Sequence, residues 1–169
     1  MRRLVFITGG ARSGKSRYAQ ELALQHSQQP VYVATARIWD EDFRQRIERH
    51  RQDRDARWTS MEEEKQLSRL ALQGRTAVID CVTLWITNFF SDLRGDIDAC
   101  LASCKAEIDA LLEQDAHLIV ISNEIGMGLH PHTDSGRKFT DLQGWVNQYI
   151  AARAHEAIFM ISGLPLKVK

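Results

Sequence analysis

The stretch Gly9-Gly10-Ala11-Arg12-Ser13-Gly14-Lys15-Ser16 constrains this chain more than any other part of it. It follows the apolar run Leu4-Val5-Phe6-Ile7 and leads into Arg17-Tyr18-Ala19-Gln20-Glu21-Leu22-Ala23-Leu24, which is compatible with a helix. The pattern G-x-x-x-x-G-K-S puts glycine where the backbone must curl around an anion, so that amide N–H groups and the helix N-terminus point at phosphate oxygens. Lys15 then neutralises β- and γ-phosphate charge, and Ser16 offers its hydroxyl to Mg²⁺. An ordinary strand-to-helix turn rich in glycine and serine is the bland alternative. The required order of strand, loop and helix argues against it, and the expected ligand is a nucleoside triphosphate.

The 169 residues suffice for one domain with a full core, expected to span 1–169. Basic and acidic side chains number 22 each, so the formal net charge of zero offers no global attraction to nucleic acid or an anionic membrane. Any anion binding must be local. No apolar run approaches the roughly 20 residues of a membrane span, and Met1-Arg2-Arg3 passes straight into a strand pattern, so neither a membrane segment nor a signal peptide is expected. The expected location is cytoplasmic. Cys81, Cys100 and Cys104 are odd in number and lack paired metal-ligand spacing, which reads as three reduced thiols.

Along the chain, Val31-Tyr32-Val33-Ala34-Thr35 reads as a second strand, whose carboxyl end should lie beside the phosphate loop. The polar segment from Asp40 to Arg51 reads as a helix with Phe43 and Ile47 on one face and His50 three residues further along it. Ser60-Met61-Glu62-Glu63 resembles a capping box and predicts another helix start. Thr76–Asp80 reads as a buried strand ending in a carboxylate, followed by an apolar helix over 81–90. Helices are expected over 97–112 and 135–154, and strands over 117–122 and 157–162, with Leu166–Lys169 as an antiparallel edge. Strands alternating with helices predict a mainly parallel α/β sheet covered on both faces.

At this level of detail the chain resembles the bifunctional adenosylcobinamide kinase and adenosylcobinamide-phosphate guanylyltransferase family of cobalamin biosynthesis. The resemblance is carried by Thr8–Ser16, Tyr32-Val33-Ala34-Thr35-Ala36, Arg46-Ile47 with His50-Arg51 and Trp58, Asn123-Glu124-Ile125-Gly126-Met127-Gly128, and Ser162-Gly163. It implies a P-loop NTPase-like (RecA-like) fold, with GTP and ATP as substrates and Mg²⁺ as cofactor. It also implies a homotrimer and two reactions: phosphorylation of the aminopropanol hydroxyl of adenosylcobinamide, then attachment of GMP to that phosphate through a GMP-histidine intermediate. By position the histidine is His50. The nucleotide-binding positions implied are Gly9, Gly10, Ala11, Arg12, Ser13, Gly14, Lys15, Ser16, Ala34, Thr35, Ala36, Arg51, Gln52, Asp53, Arg54, Glu62 and Asp80. The chain departs from the family mainly after Gly128, at His130-Pro131-His132-Thr133-Asp134.

Each of these residues also has a plainer reading. From spacing alone, His50 is equally a half-buried histidine closing a helix face, whereas a neutral imidazole flanked by Arg51 and Arg54 is a competent nucleophile toward an α-phosphorus. Asp80 is either a metal-side carboxylate, with Ser16, or the cap of the next helix. His130, His132 and Asp134 invite a metal reading, although a polar loop explains them equally. Cys81 and Glu124 are pocket candidates by position. Two rivals to the two-step transferase are a GTP-dependent switch, against which the absence of an Asn-Lys-x-Asp motif counts, and a small-molecule kinase without guanylyl transfer, against which the presence of His50 counts.

Overall fold

In the computed structural model, which describes residues 2–38 and 55–169, seven strands form one sheet. In chain order the elements are β1 (Arg3–Gly9), α1 (Lys15–His26), β2 (Val31–Ala34), β3 (Thr59–Glu62), a 3₁₀ turn (Leu67–Arg69), β4 (Thr76–Asp80), α2 (Val82–Asp92), α3 (Ile97–Leu112), β5 (His117–Ile121), α4 (Asp134–Arg153), β6 (Glu156–Ile161) and β7 (Leu164–Lys167). The sheet order is β3-β2-β4-β5-β1-β6-β7. All pairings are parallel except that of β6 with β7. The expected α/β architecture, with a mainly parallel sheet and an antiparallel C-terminal edge, is therefore present. The helix expected over 40–51 lies outside the described residues.

Alternation along the strands sorts the core into two layers. Leu4 and Phe6 of β1 face α2, α3 and α4, where Trp85, Cys104, Ile108, Leu142 and Val146 are buried against them. Val5 and Ile7 face α1, which contributes Ala19 and Ala23. Small residues on α1 let that helix lie close to the sheet and bring the loop before it onto the strand ends. Cys100 and Cys104 are buried free thiols within the first layer, as helix packing alone requires.

One element departs from the sequence reading. Thr59–Glu62 is not a helix start but an edge strand, paired in parallel with β2 from Val31↔Thr59 to Ala34↔Glu62. The acid at the end of the capping pattern does cap, but it caps a turn: Glu63 Oε1 accepts the N–H groups of Lys65 at 2.9 Å and Gln66 at 2.8 Å. Ladder bonds to a strand nearly thirty residues earlier outweigh the local helix signal. The C-terminal edge strand also starts earlier than expected, at Leu164, with Pro165 opposite Met160.

At the amino ends of the strands, His117 packs edge-on against His26, with ring centroids 4.5 Å apart. Burial, then the positive charges of His26 and Arg3, lower the His117 pKa to about 4, with Glu156 opposing. Among the described residues its buried Nε2 has no hydrogen-bond partner. A folded-state pKa below the unfolded value means that the unfolded chain binds more protons between pH about 4 and about 6.5. The contribution of His117 is therefore complete above about 6.5 and is lost as pH falls toward 4, by up to about 3 kcal/mol. Urea unfolding at pH 7.0 and 4.5 should show this loss, and His117→Gln should remove a large part of it. The same pH dependence in both proteins would refute the assignment.

Candidate active site

The phosphate loop joins β1 to α1 and is shaped by two glycines. A Cβ on Gly9 would lie 2.6 Å from the Met160 carbonyl oxygen, so only glycine lets the loop leave β1 this close to β6. Gly14 caps α1 at φ 91°, where a side chain would be strained, and a Cβ there would lie 3.2 Å from Gly163 Cα. Helix α1 has no side-chain N-cap and no acid in its first turn. Its leading N–H groups and the positive end of its dipole are therefore uncompensated by any protein carboxylate of the cap, as an anion site requires.

Lys15 opens α1 and is buried, yet its ammonium curls back over the loop, donating to Gly10 O at 2.6 Å and to Ser13 Oγ at 3.4 Å. Burial lowers its pKa, while Cys81 and Asp80 act in the opposite direction. Cys81 is neutral at physiological pH because burial, reinforced by Asp80, pushes its thiol up to about 12. The charge that Lys15 feels there is that of Asp80. Cys81 is thus part of the wall of the site and not a thiolate nucleophile.

Asp80 ends β4 with its Oδ2 accepting from Ser16 Oγ at 2.9 Å and from the Tyr32 hydroxyl at 2.7 Å. Helix α2 is capped by Cys81 without a side-chain hydrogen bond, so the helix-capping alternative for Asp80 does not hold. The juxtaposed Ser16 hydroxyl and Asp80 carboxylate are hard oxygen donors of the type that suits Mg²⁺.

The neighbouring strand ends are fixed by a polar clamp. Thr35 Oγ1 donates to Cys81 O at 2.7 Å and accepts the Cys81 N–H at 2.9 Å, while Asn88 Nδ2 donates to Thr35 O and Glu64 O. Thr35 is fully buried, so its side chain serves the clamp, and Ala34 and Ala36 flank it at the strand end. Register places Glu62 beside Ala34 and Ala34 beside Asp80. The carboxyl ends of β3, β2, β4 and β1 thereby bring Glu62, Ala34, Asp80 and the Gly9–Ser16 loop to one edge of the sheet, where open parallel sheets bind ligands. Ala11 and Arg12 are exposed on the loop, and Arg12 has φ 55°. His50, Arg51, Gln52, Asp53 and Arg54 lie outside the described residues.

Several participants carried no clear sequence signal. Tyr32 reads as a strand aromatic, yet its hydroxyl holds Asp80, and its ring meets Trp58 edge-on at 6.1 Å. Gln143 and Asn147 are buried on α4 and bond Ser122, at the end of β5. A hint exists, since two amides one helical turn apart interrupt the stripe formed by Leu142, Val146 and Ile150. His130 and His132 lie on an exposed loop, and Asp134 pairs with Lys138 at 2.9 Å, which lowers its pKa. Among the described residues no group of three or more His, Cys, Asp or Glu is placed to hold a metal ion.

Comparison with known proteins gives this geometry a context. A family model described as cobinamide kinase / cobinamide phosphate guanyltransferase matches residues 5–168. The chain is similar to the bifunctional adenosylcobalamin biosynthesis protein CobU of Escherichia coli K12, with 36% identity over 98% of this chain and 99% of that protein. It is also similar to the bifunctional adenosylcobalamin biosynthesis protein CobP of Pseudomonas aeruginosa, with 38% identity over 96% of this chain and 95% of that protein. Among solved structures, the flagellar accessory protein FlaH from Methanocaldococcus jannaschii aligns over 99% of this chain and 78% of that one, at TM-score 0.47 and 16% identity.

Proposed function

The chain belongs to the cobinamide kinase / cobinamide phosphate guanyltransferase family and is a bifunctional transferase of cobalamin biosynthesis, and from that premise we propose how its own residues divide the two reactions. The observation that carries the proposal is the convergence of Lys15, Ser16 and Asp80 at the mouth of an anion-ready loop.

In the kinase step, the loop amides and Lys15 hold the β- and γ-phosphates of ATP or GTP while the aminopropanol hydroxyl of adenosylcobinamide attacks in line. Ser16 and Asp80 would hold Mg²⁺, which supplies charge neutralisation to the phosphates. In the second step the imidazole of His50 attacks the α-phosphorus of GTP, pyrophosphate leaves, and the phosphate of adenosylcobinamide phosphate displaces His50 from GMP. Arg51, Gln52, Asp53 and Arg54, together with Ala34, Thr35, Ala36 and Glu62, would line the nucleotide in that pose. The kinase step presents the γ-phosphorus of the nucleotide to its acceptor and the guanylyl step presents the α-phosphorus of GTP to His50.

We assign the enzyme to the cytoplasm, where its nucleotides are made, and to a homotrimer. No described helix is long and apolar enough to cross a membrane. Leu164, Leu166 and Val168 are each more than half exposed on the outer edge next to β6, a surface that a neighbouring subunit would cover.

Supplying adenosylcobinamide with γ-labelled GTP or ATP should label the corrinoid, and α-labelled GTP should label the GDP-bearing product, both lost on chelation with EDTA. The same preparation should sediment at three times the 19.3 kDa chain mass. Transfer of the γ-label alone would leave a simple kinase, and nucleotide binding without any transfer would leave a switch.

A further inference from the structure

One carboxylate beside the loop has no task in this scheme. The chain of β5 continues past Ile121 alongside β1: Ser122 N–H donates to Ile7 O at 2.9 Å and Glu124 N–H to Gly9 O at 3.0 Å. On the other side of β5, Asp80 is in register with Ile121. Glu124 therefore sits at the root of the phosphate loop, three residues past the end of the strand that lies between β1 and β4. Its Oε1 accepts the Gly126 N–H at 2.7 Å, and among the described residues its Oε2 has no partner.

The backbone under Glu124 is held more firmly than a loop requires. Asn123 donates through both its backbone N–H and its side-chain amide to Thr83 Oγ1, at 3.2 and 3.0 Å, and Asn147 Nδ2 donates to Asn123 O at 3.2 Å. Behind it, Ser122 Oγ donates to Asn147 Oδ1 at 2.6 Å and Gln143 Nε2 donates to Ser122 Oγ at 2.7 Å, all buried. Burying polar groups is costly unless they are bonded, and a bonded set fixes one geometry where an apolar contact would allow slip. Beyond Glu124 the loop exposes Met127 at 78% and Leu129 at 95%, two apolar side chains where a large organic acceptor would enter.

We infer that Glu124 is the general base of the kinase step, an inference that rests on the kinase reading above. As the acceptor hydroxyl oxygen bonds the γ-phosphorus, its proton passes to Glu124 Oε2, the bond from the γ-phosphorus to the β,γ-bridging oxygen breaks, and the nucleoside diphosphate leaves with that electron pair. Glu124 then returns the proton to solvent. The guanylyl step needs no such base, because its acceptor is already a phosphate anion. One loop thus serves two acceptors, and the carboxylate is required for only one of them.

The test starts with the parent protein, in which absence of γ-phosphoryl transfer would overturn the kinase reading and not the role of Glu124. Given that activity, Glu124→Gln should lower the kinase kcat about 100-fold or more with the nucleotide KM within about threefold, and remove the acid limb of its pH profile. GMP transfer to supplied adenosylcobinamide phosphate should stay within about threefold of the parent. A kinase kcat near the parent value, or an equal fall in both reactions at unchanged Tm, overturns the inference. If the glutamine variant does not fold, Glu124→Asp decides: loss confined to the kinase step, with the acid limb kept, supports it, and loss shared by both steps overturns it.

Discussion

His50→Ala is expected to abolish covalent GMP labelling of the protein from α-labelled GTP, while kinase turnover stays within about tenfold of the parent. The asymmetry follows from the chemistry. Guanylyl transfer by two displacements needs an atom that leaves the phosphorus as readily as it attacks it, and a neutral imidazole does both. Removing it removes the step, a loss of about 1000-fold or more in GMP transfer. Phosphoryl transfer to a hydroxyl uses the loop, Lys15 and the acceptor, none of which depends on that ring. Undiminished labelling of the alanine variant would mean that another residue takes the GMP.

Lys15→Ala is expected to impair both reactions, by about 100-fold or more in kcat/KM, which corresponds to about 3 kcal/mol of transition-state stabilisation. The structure folds the ammonium back over the loop, bonded to Gly10 O and Ser13 Oγ. The fold should not suffer. Burial lowers the Lys15 pKa, so holding the ammonium there opposes folding until a phosphate arrives to compensate it. The alanine variant should therefore match or exceed the parent in Tm without nucleotide and lose most of the Tm gain that GTP gives the parent. An active variant, or one inactive only because it unfolds, would contradict the role assigned to Lys15.

How much of this could be read in the chain depended on how local each signal was. Gly9, Gly14, Lys15 and Ser16 lie within one turn, and their spacing alone specified both a conformation and an anion. The ends of α3 were readable at Ile97 and Leu112 because the apolar period runs unbroken between them. Thr59–Glu62 was misread because its partner strand is distant, and the acid that suggested a helix cap instead organises the turn after it. Asp80 was legible as a strand-end carboxylate, but its hold on Ser16 and Tyr32 required the sheet to bring β4 between β2 and β5. The Ser122, Gln143 and Asn147 set was legible only as polar interruptions, since Ser122 is 21 and 25 residues from the other two and meets them through α4 folding back on β5. His50 and Arg51–Arg54 rest on sequence and family membership alone.

The central claim is that the chain carries GMP on His50 between its uptake from GTP and its transfer to adenosylcobinamide phosphate. It is tested most directly by incubating the parent protein with α-labelled GTP and Mg²⁺, digesting it under mildly basic conditions and locating the label by mass spectrometry. The account predicts one GMP per chain on the peptide containing His50, stable in base, released by acid, and discharged when adenosylcobinamide phosphate is added. A label on another residue, or one on His50 that adenosylcobinamide phosphate cannot discharge, would contradict it.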